Sequence, residues 1–282
     1  MPSSRILASW VILLAAVASP LPVPGQANLI PNGSFADKEP LANFRFDFPY
    51  QEWYKKNVGY VRETTIAGRK CAEIALPPGV AGNEGGKIET ALVPAEPGAT
   101  YYAEVECYLP EFSGMLHAEA FAVDPRDEAV RQAAEAKGAR LTVQRIPPLN
   151  GKPALVMIYR AQLPVPAKGA QWVKVGREFT IPYEWPIGTD GKIKVKPAYV
   201  SLKAYTYEGT MAAGKSYFTG FKLTKLNVQR PAPTPGGTNG TWANDAQQKG
   251  IERELGLGPD KKPLPPKKPE AAPLDNIKGA FD

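Results

Sequence analysis

The chain contains a single histidine, His117, two cysteines, Cys71 and Cys107, and two carboxylates at alternate positions, Glu104 and Glu106. A serine–histidine–aspartate triad would have to use His117, and no Gly-x-Ser-x-Gly turn accompanies it. Alternation through Met115-Leu-His-Ala-Glu-Ala-Phe-Ala puts His117 on one strand face with Glu119 and Phe121, which reads as a structural or surface histidine. One histidine and two cysteines do not make a zinc site of the usual kind. Glu104 and Glu106 share a strand face, and glycoside hydrolysis needs two carboxylates at a set separation. Alternating glutamates are also the ordinary wet side of an antiparallel sheet, so no catalytic residue is assigned.

Aromatic residues offer a different chemistry. A pyranose ring packs its apolar C–H face on an aromatic ring while its hydroxyls seek polar partners. The chain holds five Trp and twelve Tyr. Trp53 and Tyr54 lie in the loop-like Pro49–Lys56 segment. Tyr183 and Trp185 lie between Pro182 and Pro186. Tyr205 and Tyr207 share one face of a strand. These six are the candidate ligand-binding residues; Trp172 and most other aromatics are expected to fill a core.

The elements that must position them read as β. From Tyr60 to Val228 the chain alternates in short runs: Lys70–Leu76, Lys87–Val93, Thr100–Leu109, Met115–Val123, Ala139–Ile146, Ala154–Leu163, Gln171–Ile181, Lys192–Tyr207 and Lys215–Val228. Turn chemistry at Pro97-Gly98, Asn150-Gly151 and Asp190-Gly191 separates them. This predicts an all-β antiparallel sandwich or barrel. One helix is predicted over Pro125–Lys137, capped by Asp124 and ended by Gly138, followed by a hairpin through Asn150-Gly151. Strand parity places Cys71 with Glu73 and Cys107 with Tyr101, Ala103 and Val105. One thiol is then expected outside and one inside, which disfavours a bridge.

The ends differ in kind. Ile6–Ser19 is a mostly apolar run behind Arg5, too short for a membrane span, and small residues follow at Gly25 and Ala27 or earlier at Ala16 and Ala18. This predicts a signal peptide over 1–27, and a secreted, periplasmic or cell-envelope location. Residues 229–282 turn Pro- and Lys-rich and read as a disordered tail. A hydrophobic fraction of 43% is enough for a core over 28–228. The net charge of +6 is scattered among acids, with no basic run on a recognisable helix, so no nucleic-acid partner is expected.

Three phrases carry a family resemblance. Asn28-Leu-Ile-Pro-Asn-Gly-Ser-Phe35 resembles the opening strand of CenC-type carbohydrate-binding modules, which are galactose-binding-like jelly rolls. Gly86–Val105, with Pro97-Gly-Ala-Thr-Tyr101 inside it, looks like their central phrase. Gln171–Pro182 resembles their "W-x-x-x-x-x-x-F-x-x-P" strand, and Ser216–Leu226 matches the closing strand in position. The resemblance implies a jelly-roll β-sandwich binding a polysaccharide or glycan without catalysis. It also implies a structural calcium with oxygen ligands around Asn32–Asp37. Thr219-Gly220 stands where the family places Asp, and the Asp124–Leu163 region is longer than usual. Two further readings remain: a structural or protein-interaction module of the cell envelope, and a glycoside hydrolase. Oligomeric state is not readable.

Overall fold

The alternation of Thr100–Leu109 becomes a strand with two chemically distinct sides. Tyr101, Ala103, Val105, Cys107 and Leu109 are buried, while Tyr102, Glu104, Glu106 and Tyr108 face the other way. The same logic produces every long strand. The computed structural model describes residues 27–48, 54–126, 145–148, 151–165, 167–187 and 192–234. In chain order its strands are β1 (Phe44–Arg45), β2 (Val61–Ile66), β3 (Arg69–Leu76), β4 (Gly86–Thr90), β5 (Val93–Pro94), β6 (Thr100–Leu109), β7 (Gly114–Val123), β8 (Arg145–Ile146), β9 (Leu155–Leu163), β10 (Gly169–Thr180), β11 (Trp185–Ile187), β12 (Ile193–Val195), β13 (Pro197–Thr206) and β14 (Gly214–Lys225).

All pairing is antiparallel, in two sheets and a ribbon. A seven-stranded sheet runs β1-β4-β13-β7-β9-β8, with β5 beside β13; a five-stranded sheet runs β10-β6-β14-β3-β2; β11 pairs with β12. The inner sides of the two sheets form one apolar cluster. Leu116, Ala118, Val200, Leu202 and Ala204 from the first sheet meet Ala72, Ile74, Ala103, Val105, Phe218 and Leu223 from the second. This is the predicted β-sandwich.

The opening phrase acts as a clamp on β14. Asn28 Nδ2 donates to the Phe221 carbonyl (3.0 Å), and its Oδ1 accepts from the amides of Ile30 (3.0 Å) and Leu223 (2.9 Å). The Phe221 amide donates to the Gly33 carbonyl at 2.9 Å. A Cβ at Gly33 would run into the Phe221 carbonyl oxygen, so only glycine lets the two backbones approach this closely. Phe35 then stacks on Phe44 (4.5 Å) and meets Phe221 edge-on (6.1 Å).

Several expectations are revised. Cys71 and Cys107 do lie on opposite faces, but both are buried and free. Each thiol donates to a carbonyl at 3.7 Å, Thr64 for Cys71 and Val173 for Cys107. β14 runs between their strands, and burial pushes both thiols up to about 11. The Lys87–Val93 run does not alternate wet and dry: every residue of β4 is buried, because another segment covers its outer side. The Lys192–Tyr207 run divides into β12 and β13. Of the expected hairpin, β8 pairs antiparallel with β9, with Ile146 opposite Leu155, while residues 139–144 and 149–150 lie outside the described residues. The signal peptide, the helix beyond Arg126 and the tail beyond residue 234 lie outside the described residues.

Candidate ligand-binding face

On the outer side of the seven-stranded sheet, residues that alternation would assign to water are enclosed. Moving along β13, the outward side chains are Tyr199, Ser201, Lys203 and Tyr205, with Tyr207 just beyond the strand. Lys203 lies opposite Glu89 on β4 and His117 on β7; Ser201 lies opposite Glu119, which lies opposite Arg160 on β9. Lys87, Glu89, His117, Glu119, Ser201 and Lys203 are all buried. Buried charges persist only when paired, and these are. Lys203 Nζ is 2.6 Å and Arg160 Nε 2.9 Å from Glu119, Lys87 Nζ is 3.0 Å from Glu89, and Arg45 forms a second ion pair with Glu89.

The electrostatics follow from this packing. Burial alone would raise the Glu119 carboxyl, but Lys203 and Arg160 overcome it and hold the group below the usual carboxylate range. Glu89 behaves in the same way under Lys87 and Arg45. Burial pulls Lys203 down to about 8 against the pull of Glu119. His117 is held down at about 3, first by burial and then by the charges of Lys203 and Arg160. Both its ring nitrogens are enclosed without a hydrogen-bond partner among the described residues. At a pKa of about 3 the imidazole is neutral at neutral pH, packed among Lys203, Arg160 and Glu119.

A strap after β1 covers part of this face. Asn57 anchors it: its Nδ2 donates to the carbonyls of Phe46 and Lys87, both at 2.7 Å, and its Oδ1 accepts from the Lys87 amide at 2.8 Å. Phe48 and Tyr54 on the strap hold the Lys87 ammonium at 3.9 and 4.4 Å from their ring centres, a cation–π arrangement. Tyr54 meets Tyr205 edge-on at 6.2 Å, and Tyr205 stacks on Tyr207 at 6.2 Å with planes 7° apart. The Tyr205 hydroxyl donates to the Glu84 carbonyl. Burial raises the pKa of both Tyr54 and Tyr205, so they stay neutral. Tyr207 is 41% exposed and presents its ring to solvent.

At the opposite end of the face, Phe121, Leu155 and Met157 form a small apolar cluster with Leu92, Ile146 and Tyr199. It borders a cleft of about 470 Å³ whose walls include Arg45 and Phe46 from the strap side and Ile146 and Leu155 from the β8–β9 side. β1 and β8 are the two edges of this sheet, so the sheet curls until its edges share one cleft.

Of the six candidate residues, Tyr54, Tyr205 and Tyr207 come together here. Trp53 lies outside the described residues. Tyr183 is 51% exposed but sits on the Pro97-Gly98 turn, where its hydroxyl accepts from Gln229 Nε2 at 2.7 Å. Trp185 is 8% exposed and packs in the core from β11, so it is not a platform; the prolines around it mark a tight ribbon, not a loop. Trp172 departs from expectation in the other direction. It faces outward on the five-stranded sheet, beside Tyr108 (5.8 Å), which meets Tyr217 (5.5 Å), with the Arg69 guanidinium 5.5 Å over its ring. Glu104 and Glu106 lie on that outer face too, both salted by Lys174 at 3.2 and 3.7 Å. Asn32, proposed for calcium, uses its side chain inside a turn, donating to Pro40 O and accepting from the Asp37 amide. No cluster of three or more metal-ligating side chains occurs among the described residues.

Sequence reasoning missed the ionic floor of Arg45, Lys87, Glu89, Glu119, Arg160 and Lys203. A signal was present in β13, where Ser201 and Lys203 share a face with Tyr199, Tyr205 and Tyr207. Aromatics interleaved with charges on a supposedly wet face mark a covered or ligand-facing side.

No family model and no curated protein matches the chain. Among solved structures it is similar to the N-terminal cellulose-binding domain of Cellulomonas fimi β-1,4-glucanase C, with 13% identity over 56% of this chain and 80% of that one (TM-score 0.33). It is also similar to TmCBM61 in complex with β-1,4-galactotriose, with 12% identity over 71% and 99% (TM-score 0.36). A third is the CBM22-1–GH10 part of Clostridium thermocellum endo-1,4-β-D-xylanase 10B complexed with xylohexaose, with 8% identity over 59% of this chain (TM-score 0.30); the chain spans 24% of that xylanase chain. None of the described residues forms a helix long and apolar enough to cross a membrane.

Proposed function

We propose that this chain is an exported, non-catalytic carbohydrate-binding β-sandwich whose ligand contacts the outer face of the seven-stranded sheet. The observation that carries the reading is the Tyr54–Tyr205–Tyr207 series set beside a pre-paired ionic floor. An exposed tyrosine ring offers a flat apolar surface for a sugar C–H face. Arg45 and Arg160, 25% and 19% exposed at the side chain, offer donors to hydroxyls from a scaffold already fixed by Glu89 and Glu119. Side chains locked before binding lose little entropy on binding.

The ionisation states support a binding role over hydrolysis. A glycosidase needs one carboxyl with a raised pKa as proton donor. Glu89 and Glu119 are both held ionised by their cations. The apolar leader, Ile6–Ser19, supports export.

The test is binding to a panel of plant, microbial and animal polysaccharides by affinity electrophoresis, with Tyr207→Ala beside the unaltered chain. Tyr207 is exposed, so its loss leaves the fold intact. Removing one stacked ring is expected to weaken binding about five- to tenfold, from roughly 1 kcal/mol of lost contact. Retained binding in Tyr207→Ala moves the ligand off the tyrosine series, and failure to retain any polysaccharide defeats the reading.

A further inference from the structure

The charges on this face differ in their access to solvent. Glu89 and Glu119 have side chains only 5% and 0% exposed, and each is already matched by two cations. Arg45 keeps a quarter of its side chain in solvent and also lines the cleft at the apolar end of the face, together with the exposed Lys152. Asp47 is the one acid among the cleft-lining residues, and much of the wall is apolar: Phe44, Phe46, Leu92 and Leu155.

A volume of about 470 Å³ falls within the range of small-ligand sites, roughly 300–1,000 Å³. An apolar wall with two cations suits a ring that packs its C–H face inside and keeps an anionic substituent at the mouth. There the anion exchanges water for ammonium and guanidinium donors, which bind oxyanions more strongly than neutral donors do. We infer that this cleft takes the anionic group, carboxylate or sulfate, of an acidic sugar residue, so that the ligand is an acidic polysaccharide. The inference rests on the glycan-binding reading above and narrows it to a ligand class.

The experiment measures binding of the full chain to polygalacturonate and to the same polymer after carboxyl reduction, with dextran sulfate beside plain dextran. The expected result is retention of polygalacturonate and at least tenfold weaker retention of its reduced form. Lys152→Glu, a reversal at an exposed position, should weaken acidic-polymer binding roughly three- to tenfold and leave the melting temperature unchanged. Added salt should weaken binding further. Preference for dextran sulfate over polygalacturonate, still sensitive to Lys152→Glu, identifies sulfate as the anion and upholds the site. Equal binding of the acidic and reduced polymers, indifferent to Lys152→Glu, overturns the inference and leaves glycan binding standing. Acidic-polymer binding unchanged by both Lys152→Glu and Tyr207→Ala is diffuse attraction to a cationic chain and overturns the site. Retention of no polymer defeats both.

Discussion

His117 shows how much a residue's neighbours outweigh its type. Its imidazole faces Lys203 on β13 and Gln162 on β9, with Glu119 two residues along and Arg160 close by. Burial and the two cations hold it at about 3 against an ordinary 6.5. The unfolded chain therefore takes up this proton first as pH falls. The His117 contribution is constant above about 6.5 and lowers stability progressively from there toward about 3. Glu119, held low in the folded state, adds a loss in the same direction once pH falls below the ordinary carboxylate range. Urea unfolding at a series of pH values should show the midpoint falling between pH 6.5 and 4. His117→Gln should flatten that slope; an unchanged slope in the variant would clear His117 of the effect.

At the scale of elements, the clamp of the N-terminal segment on β14 and the strap over β4 decide what the sheets can present. Both depend on single polar or small residues. Gly33 admits the Phe221 carbonyl at a distance that no side chain tolerates. Gly33→Ala is expected to cost about 1–3 kcal/mol through backbone displacement, lowering the melting temperature by roughly 2–12 °C in a scanning calorimeter. A change under about 1 °C would mean that the clamp yields freely. Asn57 makes three hydrogen bonds that tie the strap to β4. The strap brings Tyr54 to Tyr205, so the tyrosine series belongs to the strap as much as to β13.

At the scale of the molecule, one apolar cluster joins both sheets, and neither sheet has a second core of comparable size among the described residues. Folding should therefore be all-or-none. Trp185 lies within that cluster and Trp172 on the far side of the five-stranded sheet. Denaturation followed by tryptophan fluorescence and by far-ultraviolet circular dichroism should give coincident transitions. Two separated transitions would show that the sheets unfold independently and that the shared core contributes less than its burial implies. The curl that brings the edges β1 and β8 to one cleft is likewise a property of the whole sheet, since no local segment specifies it.

Much of the architecture was legible in the order of the residues. Period-two alternation in Thr100–Leu109 and turn residues at Pro97-Gly98 are local signals, and local signals survive in sequence. The opposite facing of Cys71 and Cys107 followed from the same parity. Burial of the outer face did not. Alternation tells which side of a strand is apolar, but not whether a distant segment covers the polar side. Alternation alone would assign Glu89, Glu119 and Lys203 to water, and Trp185 read as exposed from its prolines. Their surroundings are set by contacts between residues far apart in the chain, such as Asn57 with Lys87 and Phe44 with Leu155 across one cleft. Sequence alone determined the strands and their two-sided chemistry; only tertiary packing decided which of those sides meets a ligand, because enclosure depends on long-range contacts that no local pattern encodes.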